Sequence, residues 1–242
     1  MVIKEKTQRK MRKGKFIVLE GIDGSGKKTQ LDLLVRLLRE KNLPVELADF
    51  PQYYSSFFGS LVGRYLREEF GEADKINPYL ASLVYAGDRW EAKPQIERWL
   101  SEGRIVVANR YTGSNSHQAG KIPAGKGRDR LLDWLEELEY RVFGIPQEDI
   151  VLLFDMPAEV GQTLVEKKGA RGYTGGRKRD GHEKNLAHLR NARGAYLEMV
   201  KRYDYWAKID CLDLNGKLKP PVNIHQEVIE VLRKRKILGP KI

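Results

Sequence analysis

The stretch Glu20–Gln30, EGIDGSGKKTQ, contains the spacing GxxxxGK of a phosphate-binding loop, from Gly21 to Lys27. A short apolar segment, Phe16–Leu19, precedes the loop, and apolar residues spaced three or four apart follow it over Leu31–Leu38. A buried strand, a glycine-rich turn and a helix are the context that such a loop requires. The sequence therefore predicts a nucleotide-binding site at this turn.

The predicted loop supplies several kinds of contact to a nucleotide. Consecutive backbone N–H groups surround a phosphate, and glycine is needed where the backbone takes a positive φ or approaches the phosphate closely. The helix that begins near Lys27 adds the positive end of its dipole, and the Lys27 ammonium can bridge the β- and γ-phosphates. The predicted nucleotide-binding residues are Gly21, Asp23, Gly24, Ser25, Gly26, Lys27, Lys28 and Thr29.

Lys28 occupies the position where a Ser or Thr hydroxyl normally binds Mg²⁺. Either Lys28 points to solvent while phosphates and water hold the metal, or its ammonium supplies part of the metal's charge. We favour the first alternative, because Mg²⁺ commonly keeps several waters and needs few protein ligands. Thr29 has a hydroxyl, but it lies about 100° further around the helix. The sequence assigns no protein ligand to the metal.

The composition sets broad limits on the class of protein. A chain of 242 residues is long enough for one large α/β domain. The single cysteine, Cys211, excludes an internal disulfide framework, so we expect a reducing, cytoplasmic location. No apolar run is long enough to span a membrane, and the basic N-terminus lacks the apolar stretch of a secretion signal.

The net charge of +11 is concentrated in two segments. Residues 1–15 hold seven Lys or Arg and one Glu, and residues 167–184 hold seven Lys or Arg and two acids. We interpret residues 1–14 as a solvated, disordered tail, with a nucleic-acid-binding tail as the alternative. We predict a basic lid that closes on phosphates around residues 169–183, because cations are gathered there in a glycine-rich segment.

Apolar segments alternate with helical patterns along the rest of the chain. Buried strands are predicted at Val45–Ala48, Arg104–Ala108 and Asp149–Phe154, and a weak strand at 209–213. Helices are predicted near 56–70, 79–101, 128–143, 158–168, 184–206 and 223–234. This order predicts an α/β fold with a five-stranded parallel sheet flanked by helices, in a single domain over residues 15–242.

Several polar and aromatic residues follow the predicted strands or lie on a nearby helix. Because ligands bind at the carboxyl ends of parallel strands, we expect Phe50 and Arg110 to lie near the phosphate loop. Arg89 and Arg110 can each make bidentate contacts to the phosphate of an acceptor. Tyr85 lies one helical turn before Arg89 on the same face, where it could stack on a base.

These stretches resemble the thymidylate kinase family, nucleoside monophosphate kinases of the P-loop class, from Phe16 to about residue 235. The family pattern E-G-x-D-G-x-G-K-[ST]-T-Q is met at every position except Lys28. The further matches are Phe50-Pro51, the aromatic-to-Arg spacing of Tyr85 and Arg89, Asn109–Tyr111 for DR[YH], Asp155–Val160 for D-x-P-x-E-V, and the basic lid.

The resemblance implies a P-loop NTPase fold and transfer of a phosphoryl group from ATP to dTMP, with Mg²⁺ carried mainly by the nucleotide. It implies a homodimer that binds ATP and dTMP. The lack of a long apolar run predicts no membrane partner, and we do not expect a nucleic acid partner. The implied catalytic residues are Lys27, Asp23, Arg110 and a lid arginine among Arg171, Arg177 and Arg179. The implied substrate-binding residues are Asp23, which would hold the 3′-hydroxyl, together with Phe50, Tyr53, Tyr85, Arg89, Arg110, Asn115 and Gln118.

Three departures from the family pattern leave alternatives open. Lys28 replaces the metal-binding hydroxyl, Asn109 replaces an acidic residue, and Tyr53 lies where many members have an Arg. One alternative is a kinase for another deoxynucleoside monophosphate, because the match is loosest over residues 111–121. The other is a catalytically impaired pseudokinase whose basic tail binds nucleic acid.

Overall fold

The predicted apolar segments form five strands in the computed structural model, which describes residues 14–166 and 185–239. The strands are β1 (Lys15–Glu20), β2 (Val45–Asp49), β3 (Ile105–Asn109), β4 (Ile150–Asp155) and β5 (Trp206–Asp210). They form one sheet in the order β2-β3-β1-β4-β5, and every neighbouring pair is parallel. The predicted five-stranded parallel sheet is therefore confirmed.

Helices connect the strands and cover the sheet. They are α1 (Lys27–Glu40), α2 (Phe57–Leu66), α3 (Pro78–Ser101), α4 (Ser116–Ala119), α5 (Lys126–Glu136), α6 (Ala158–Glu166), α7 (Leu186–Arg202) and α8 (Pro221–Lys234). A 3₁₀ turn, Thr112–Asn115, leads into α4, and a π-helical turn, Glu137–Val142, continues α5. None of the helices within the described ranges combines the length and the apolar composition needed to cross a membrane.

The core lies on both faces of the central strand. Phe16, Ile17, Val18 and Leu19 of β1 are fully buried, as expected for a parallel strand covered on both sides. The amphipathic helix α1 packs its buried leucines, from Leu31 to Leu38, into the same core. Burial of this strand and helix fixes the position of the loop between them.

The C-terminal third differs from the sequence prediction at two boundaries. The helix predicted over 184–206 ends at Arg202, and the strand predicted at 209–213 runs over Trp206–Asp210. Tyr203 already has extended backbone angles, and Trp206 pairs in register with Val151 of β4. Aromatic residues favour strands, so burial of Trp206 in the sheet outweighs the helical spacing that includes Tyr203.

Candidate active site

The phosphate loop joins the end of β1 to the start of α1. Gly24 has φ +82°, and a Cβ there would lie 2.0 Å from the carbonyl oxygen of Gly161 on α6. Gly26 precedes the helix with φ +83°, so its N–H and those of the first helical turn remain at the helix N-terminus. Positions 24 and 26 therefore favour glycine. The backbone N–H groups of the loop are suited to binding an anion.

Lys27 lies across the opening of this loop. Its Nζ donates to the carbonyl oxygens of Gly21 at 2.8 Å and Ile22 at 2.9 Å, and lies 3.4 Å from Ser25 Oγ. The residue is buried, so its charge acts at short range inside the loop. A bound phosphate can replace these carbonyl oxygens as the acceptor of the ammonium.

Lys28 lies at the edge of the loop and pairs with a residue of its own helix. Its Nζ lies 2.5 Å from Asp32 Oδ1 one helical turn later, and its side chain is 64% exposed. Thr29 is also exposed. This pairing with Asp32 favours the alternative in which Lys28 takes no part of the metal's charge.

Arg110 follows β3 and reaches back to the phosphate loop. Its Nη2 lies 2.7 Å from Asp23 Oδ1, and its Nη1 donates to the carbonyl oxygen of Gly21 and to Ser114 Oγ, both at 3.3 Å. Its backbone takes φ +65°, a left-handed conformation that is uncommon outside glycine. The backbone N–H donates to the carbonyl oxygen of Leu19, which holds the residue beside β1. The predicted acceptor side and the phosphate loop are thus joined by one ion pair.

Arg89 forms a buried ion pair beneath the site. Its Nε and Nη2 donate to Glu139 at 2.5 and 2.9 Å, Nη2 also donates to Asn115 Oδ1, and Nη1 donates to the carbonyl oxygen of Tyr111. Protein acceptors therefore occupy four of the five N–H groups of the guanidinium. Arg89 lines the cavity described next, but its predicted contact to an acceptor phosphate stays a prediction.

An open cavity of about 870 Å³ brings most of the predicted residues together. It extends from the phosphate loop across the ends of β2 and β3 to α3. The predicted residues that line it are Asp23, Gly24, Ser25, Gly26, Lys27, Lys28, Phe50, Tyr53, Tyr85, Arg89 and Arg110.

The aromatic residues on one side of this cavity differ in exposure. Phe50, before a cis peptide bond to Pro51, is buried and packs on Tyr111 with ring centroids 5.4 Å apart. Tyr85 contacts Tyr65 edge to face, with centroids 6.0 Å apart. Tyr53 and Tyr85 also line the cavity but are only half-buried, so more of their surface is accessible than that of Phe50.

Asn115 and Gln118 are not among the residues that line this cavity. Asn115 Nδ2 donates to Glu139 Oε1 at 2.5 Å, and Gln118 Nε2 donates to the Tyr65 hydroxyl at 3.3 Å. The 3₁₀ turn and α4 direct both side chains into the interior. The same segment brings Ser114 and His117 to the cavity instead. Direct contact of Asn115 and Gln118 with a base stays a prediction, and this geometry does not favour it.

Glu20 is a buried carboxylate that sequence reasoning did not assign to the site. It accepts from the Tyr111 N–H at 2.7 Å, Ser114 Oγ at 2.8 Å and the Tyr196 hydroxyl at 2.9 Å. Burial raises its pKa, although the charge of Arg110 and these hydrogen bonds oppose the rise. The signal that could have identified Glu20 is its position in the loop motif. Its hydrogen bonds connect β1 to the segment after β3.

Asp49 and Asn109 end two neighbouring strands at the cavity. They are register partners of β2 and β3, and Asn109 Nδ2 donates to Asp49 Oδ1 at 2.8 Å. The sequence pattern identified Asn109 as a departure from the family but left Asp49 unassigned. Its position at a strand end was the signal that could have found it.

The remaining predicted segments lie outside the described residues. They are the lid with Arg171, Arg177 and Arg179, and the tail except Gly14. Their assignment to catalysis or to solvent stays a prediction.

Comparison with known proteins gives consistent matches. A family model described as "Thymidylate kinase" matches residues 19–214. Human thymidylate kinase is 32% identical over 162 residues, which cover 67% of this chain and 68% of that protein. A probable thymidylate kinase of Pyrococcus horikoshii is 35% identical over 159 residues, which cover 65% of this chain and 72% of that protein.

A solved structure of thymidylate kinase from Candida albicans supports the fold. It has a TM-score of 0.69 and 22% sequence identity, and the match covers 93% of each chain. The comparisons support neither of the alternatives, a kinase for another monophosphate or an impaired pseudokinase. Because the family model matches most of the chain, including the phosphate loop and Arg110, the chain belongs to the thymidylate kinase family of phosphotransferases.

Proposed function

We propose that this protein transfers the γ-phosphoryl group of ATP to the phosphate of dTMP, giving ADP and dTDP. The observation that carries this proposal is the Arg110–Asp23 ion pair beside Lys27, within one cavity. A phosphate-donor loop and a cationic acceptor site share this cavity. Its other wall carries aromatic rings suited to a base.

The donor half of the reaction depends on the phosphate loop. The loop N–H groups and Lys27 hold the β- and γ-phosphates, and they balance charge as the bond from the γ-phosphorus to the bridging oxygen breaks. Little covalent chemistry is required of the protein. Positioning and charge stabilisation carry the step.

The acceptor half depends on Arg110 and Asp23. Arg110 directs a phosphate oxygen of dTMP toward the γ-phosphorus, and Asp23 orients Arg110 and holds the deoxyribose 3′-hydroxyl, as the family resemblance implies. Tyr85 and Tyr53 provide ring surface for the base. A lid arginine among Arg171, Arg177 and Arg179 would add positive charge to the transferring group and exclude water.

The residues at the strand ends fit a nucleotide that carries Mg²⁺. The described residues contain no cluster of three or more His, Cys, Asp or Glu side chains that could hold a metal. They do place oxygen donors, the ligands that Mg²⁺ prefers, on Asp49 and Asn109 beside the loop. Bound Mg²⁺ would neutralise phosphate charge, while phosphates and water supply most of its ligands.

Two further proposals rest on the family resemblance and the composition. The functional protein is a homodimer, and it acts in the cytoplasm. Size-exclusion chromatography with light scattering tests the first, because a homodimer has twice the chain mass of 27.8 kDa.

The acceptor preference tests the proposed function. ADP formation is followed with ATP, Mg²⁺ and one monophosphate at a time: dTMP, dUMP, dCMP or dAMP. We expect kcat/KM for dTMP to exceed the others by about tenfold or more. Against dCMP and dAMP the site would reject bases whose polar groups differ from those of thymine, and against dUMP it would discriminate through the missing 5-methyl group, which an apolar contact recognises. A higher kcat/KM for another monophosphate would identify that monophosphate, and not dTMP, as the acceptor. ADP release at the same rate without any acceptor would contradict the proposal.

A further inference from the structure

Asp49 differs from the other carboxylates of the cavity. Four carboxylates line it in the described part of the chain: Asp23, Asp49, Asp88 and Glu91. Asp23 is paired with Arg110, and Asp88 accepts hydrogen bonds from Ser56 Oγ and the Gln52 N–H. Glu91 accepts two backbone N–H groups at the start of α2.

Asp49 forms no ion pair within residues 14–166 and 185–239. Its one hydrogen bond in that part of the chain comes from the Asn109 amide, which engages Oδ1. The side chain is exposed to the open cavity, and Lys27, Lys28 and Arg110 are near enough to attract its charge. Asp49 thus retains acceptor capacity on the side of the cavity that faces the phosphate loop.

Asn109 adds a second oxygen at the same place. With its Nδ2 donating to Asp49, its Oδ1 is buried and has no hydrogen-bond partner among the described residues. Buried polar atoms without a partner are rare, and a ligand, water or ion commonly satisfies them. The two strand ends therefore present one carboxylate and one amide oxygen together.

A carboxylate beside a polyphosphate favours a further cation between them, in addition to the side-chain cations of the cavity. The negative charges repel at short range, and the repulsion is stronger in a cavity wall than in bulk water. The usual ligand from the loop is absent, because Lys28 replaces the hydroxyl and pairs with Asp32. Asn109 also lacks the charge of the acidic residue found in the family pattern.

We infer that Asp49, oriented by Asn109, holds the divalent cation of the bound nucleotide, directly or through its water shell. The carboxylate that the cation requires lies on β2 in this chain instead of β3. Asp49 is a metal-holding residue, and Asn109 is a positioning residue that acts through it. This inference rests on the proposed function, because it assigns a role to residues of the same site.

Manganese binding provides a test that does not depend on turnover. Mn²⁺ is titrated into the full chain saturated with ADP, and free Mn²⁺ is measured by electron paramagnetic resonance. ADP affinity without metal is measured separately by calorimetry. We compare the parent with D49N, N109A, the exchange variant D49N/N109D, and the control E46Q, which removes a charge on the same strand where Glu46 pairs with Arg104.

We expect D49N to weaken Mn²⁺ binding in the ADP complex about tenfold or more, with metal-free ADP affinity unchanged or tighter. N109A should weaken Mn²⁺ binding less than D49N does. D49N/N109D should recover most of the lost Mn²⁺ affinity, and the Mn²⁺ affinity of E46Q should match that of the parent. Mn²⁺ affinity in D49N within twofold of the parent overturns the inference. If D49N does not fold, failure of N109A to weaken Mn²⁺ binding overturns it. A parent that binds no ADP overturns the proposed function itself, which separates the two failures.

Discussion

Arg110 and Asp23 join the two halves of the site through one contact of 2.7 Å between Nη2 and Oδ1. Arg110 lies just after β3 and Asp23 lies within the phosphate loop, so the pair fixes the acceptor side relative to the donor side. Both side chains are mostly shielded from solvent, which strengthens a charge-assisted hydrogen bond.

We predict that Arg110→Ala impairs use of dTMP far more than binding of ATP. Loss of the charge-assisted contact should cost about 2–4 kcal/mol of transition-state stabilisation, roughly a 30- to 1000-fold fall in kcat/KM. ATP affinity should stay within about threefold. The control is Arg104→Ala, which removes a half-buried arginine just before β3 and outside the cavity. A kcat/KM for dTMP in Arg110→Ala within threefold of the parent would show that Arg110 does not belong to the site.

The Arg89–Glu139 pair leads to a prediction about stability. Truncation of either partner alone leaves a buried charge uncompensated and should lower the free energy of unfolding by about 3–5 kcal/mol. The double change Arg89→Met with Glu139→Leu should recover most of that loss. Denaturant unfolding measures these differences, and Arg141→Ala, which breaks an exposed pair with Glu137, should cost no more than about 1 kcal/mol.

The double variant Arg89→Met/Glu139→Leu also distinguishes a structural role of Arg89 from a role in binding the acceptor. If Arg89 only supports the cavity, a folded Arg89→Met/Glu139→Leu protein should keep its affinity for dTMP. If Arg89 contacts the acceptor, as the sequence predicts, affinity should fall although the fold is intact. Equal stability of both single variants and the parent would contradict the buried-pair account.

The phosphate loop and the sheet could be predicted from the sequence because their signals are local. A strand, a glycine-rich turn and a helix lie within the 26 residues from Lys15 to Glu40, and the centre of β1, Phe16–Leu19, is apolar. The partner of Arg89 could not be predicted in this way. Glu139 is 50 residues away on a turn with no motif of its own, so only the packed fold brings the charges together.

Side-chain direction was the least predictable feature of the site. Asn115 and Gln118 lie in the segment expected to contact substrate, but the 3₁₀ turn followed by α4 directs them inward. Glu20 contacts Tyr196, 176 residues later, which no local pattern indicates. Asp49 had a local signal only in its position at the end of a strand.

Lys28→Ser tests whether the loop lysine takes part in catalysis. Because Lys28 pairs with Asp32 on the exposed side of α1, we expect kcat to stay similar or rise. The new hydroxyl should lower the Mg²⁺ concentration needed for half-maximal rate, since it is the ligand normally found there. A Mg²⁺ titration of the rate measures both effects.

Asp32→Asn is the matched control for Lys28, because it releases the lysine without changing the loop. It should leave the rate within about twofold of the parent, as expected for an exposed pair. A fall in kcat of tenfold or more in Lys28→Ser, recovered by adding Asn109→Asp, would instead show that the ammonium supplies part of the metal's charge.

The raised pKa of Glu148 predicts that the free energy of unfolding depends on pH. Burial raises the pKa of this carboxyl to about 7, although Thr112 and Tyr140 donate hydrogen bonds to it. The folded state therefore binds a proton more tightly than the unfolded state. The resulting stability is complete below about pH 4.5 and is lost as the pH rises through 7, a change on the order of 3 kcal/mol.

Glu148→Gln should remove this dependence. Between pH 5 and pH 8 the parent should lose about 2.5 kcal/mol more unfolding free energy than the variant, measured by denaturant unfolding at each pH. Glu137→Gln, an exposed carboxylate paired with Arg141, should show the slope of the parent. Parallel curves for the parent and Glu148→Gln would contradict the raised pKa.

Direct observation of phosphoryl transfer tests the central claim. ATP labelled at the γ-phosphate is incubated with dTMP, Mg²⁺ and the full chain, and the products are separated. We predict that the label appears in dTDP in amounts equal to the ADP formed, and that Lys27→Ala loses this transfer because the loop then lacks its buried ammonium. Label found in inorganic phosphate and not in dTDP, from a protein that binds both nucleotides, would contradict the account.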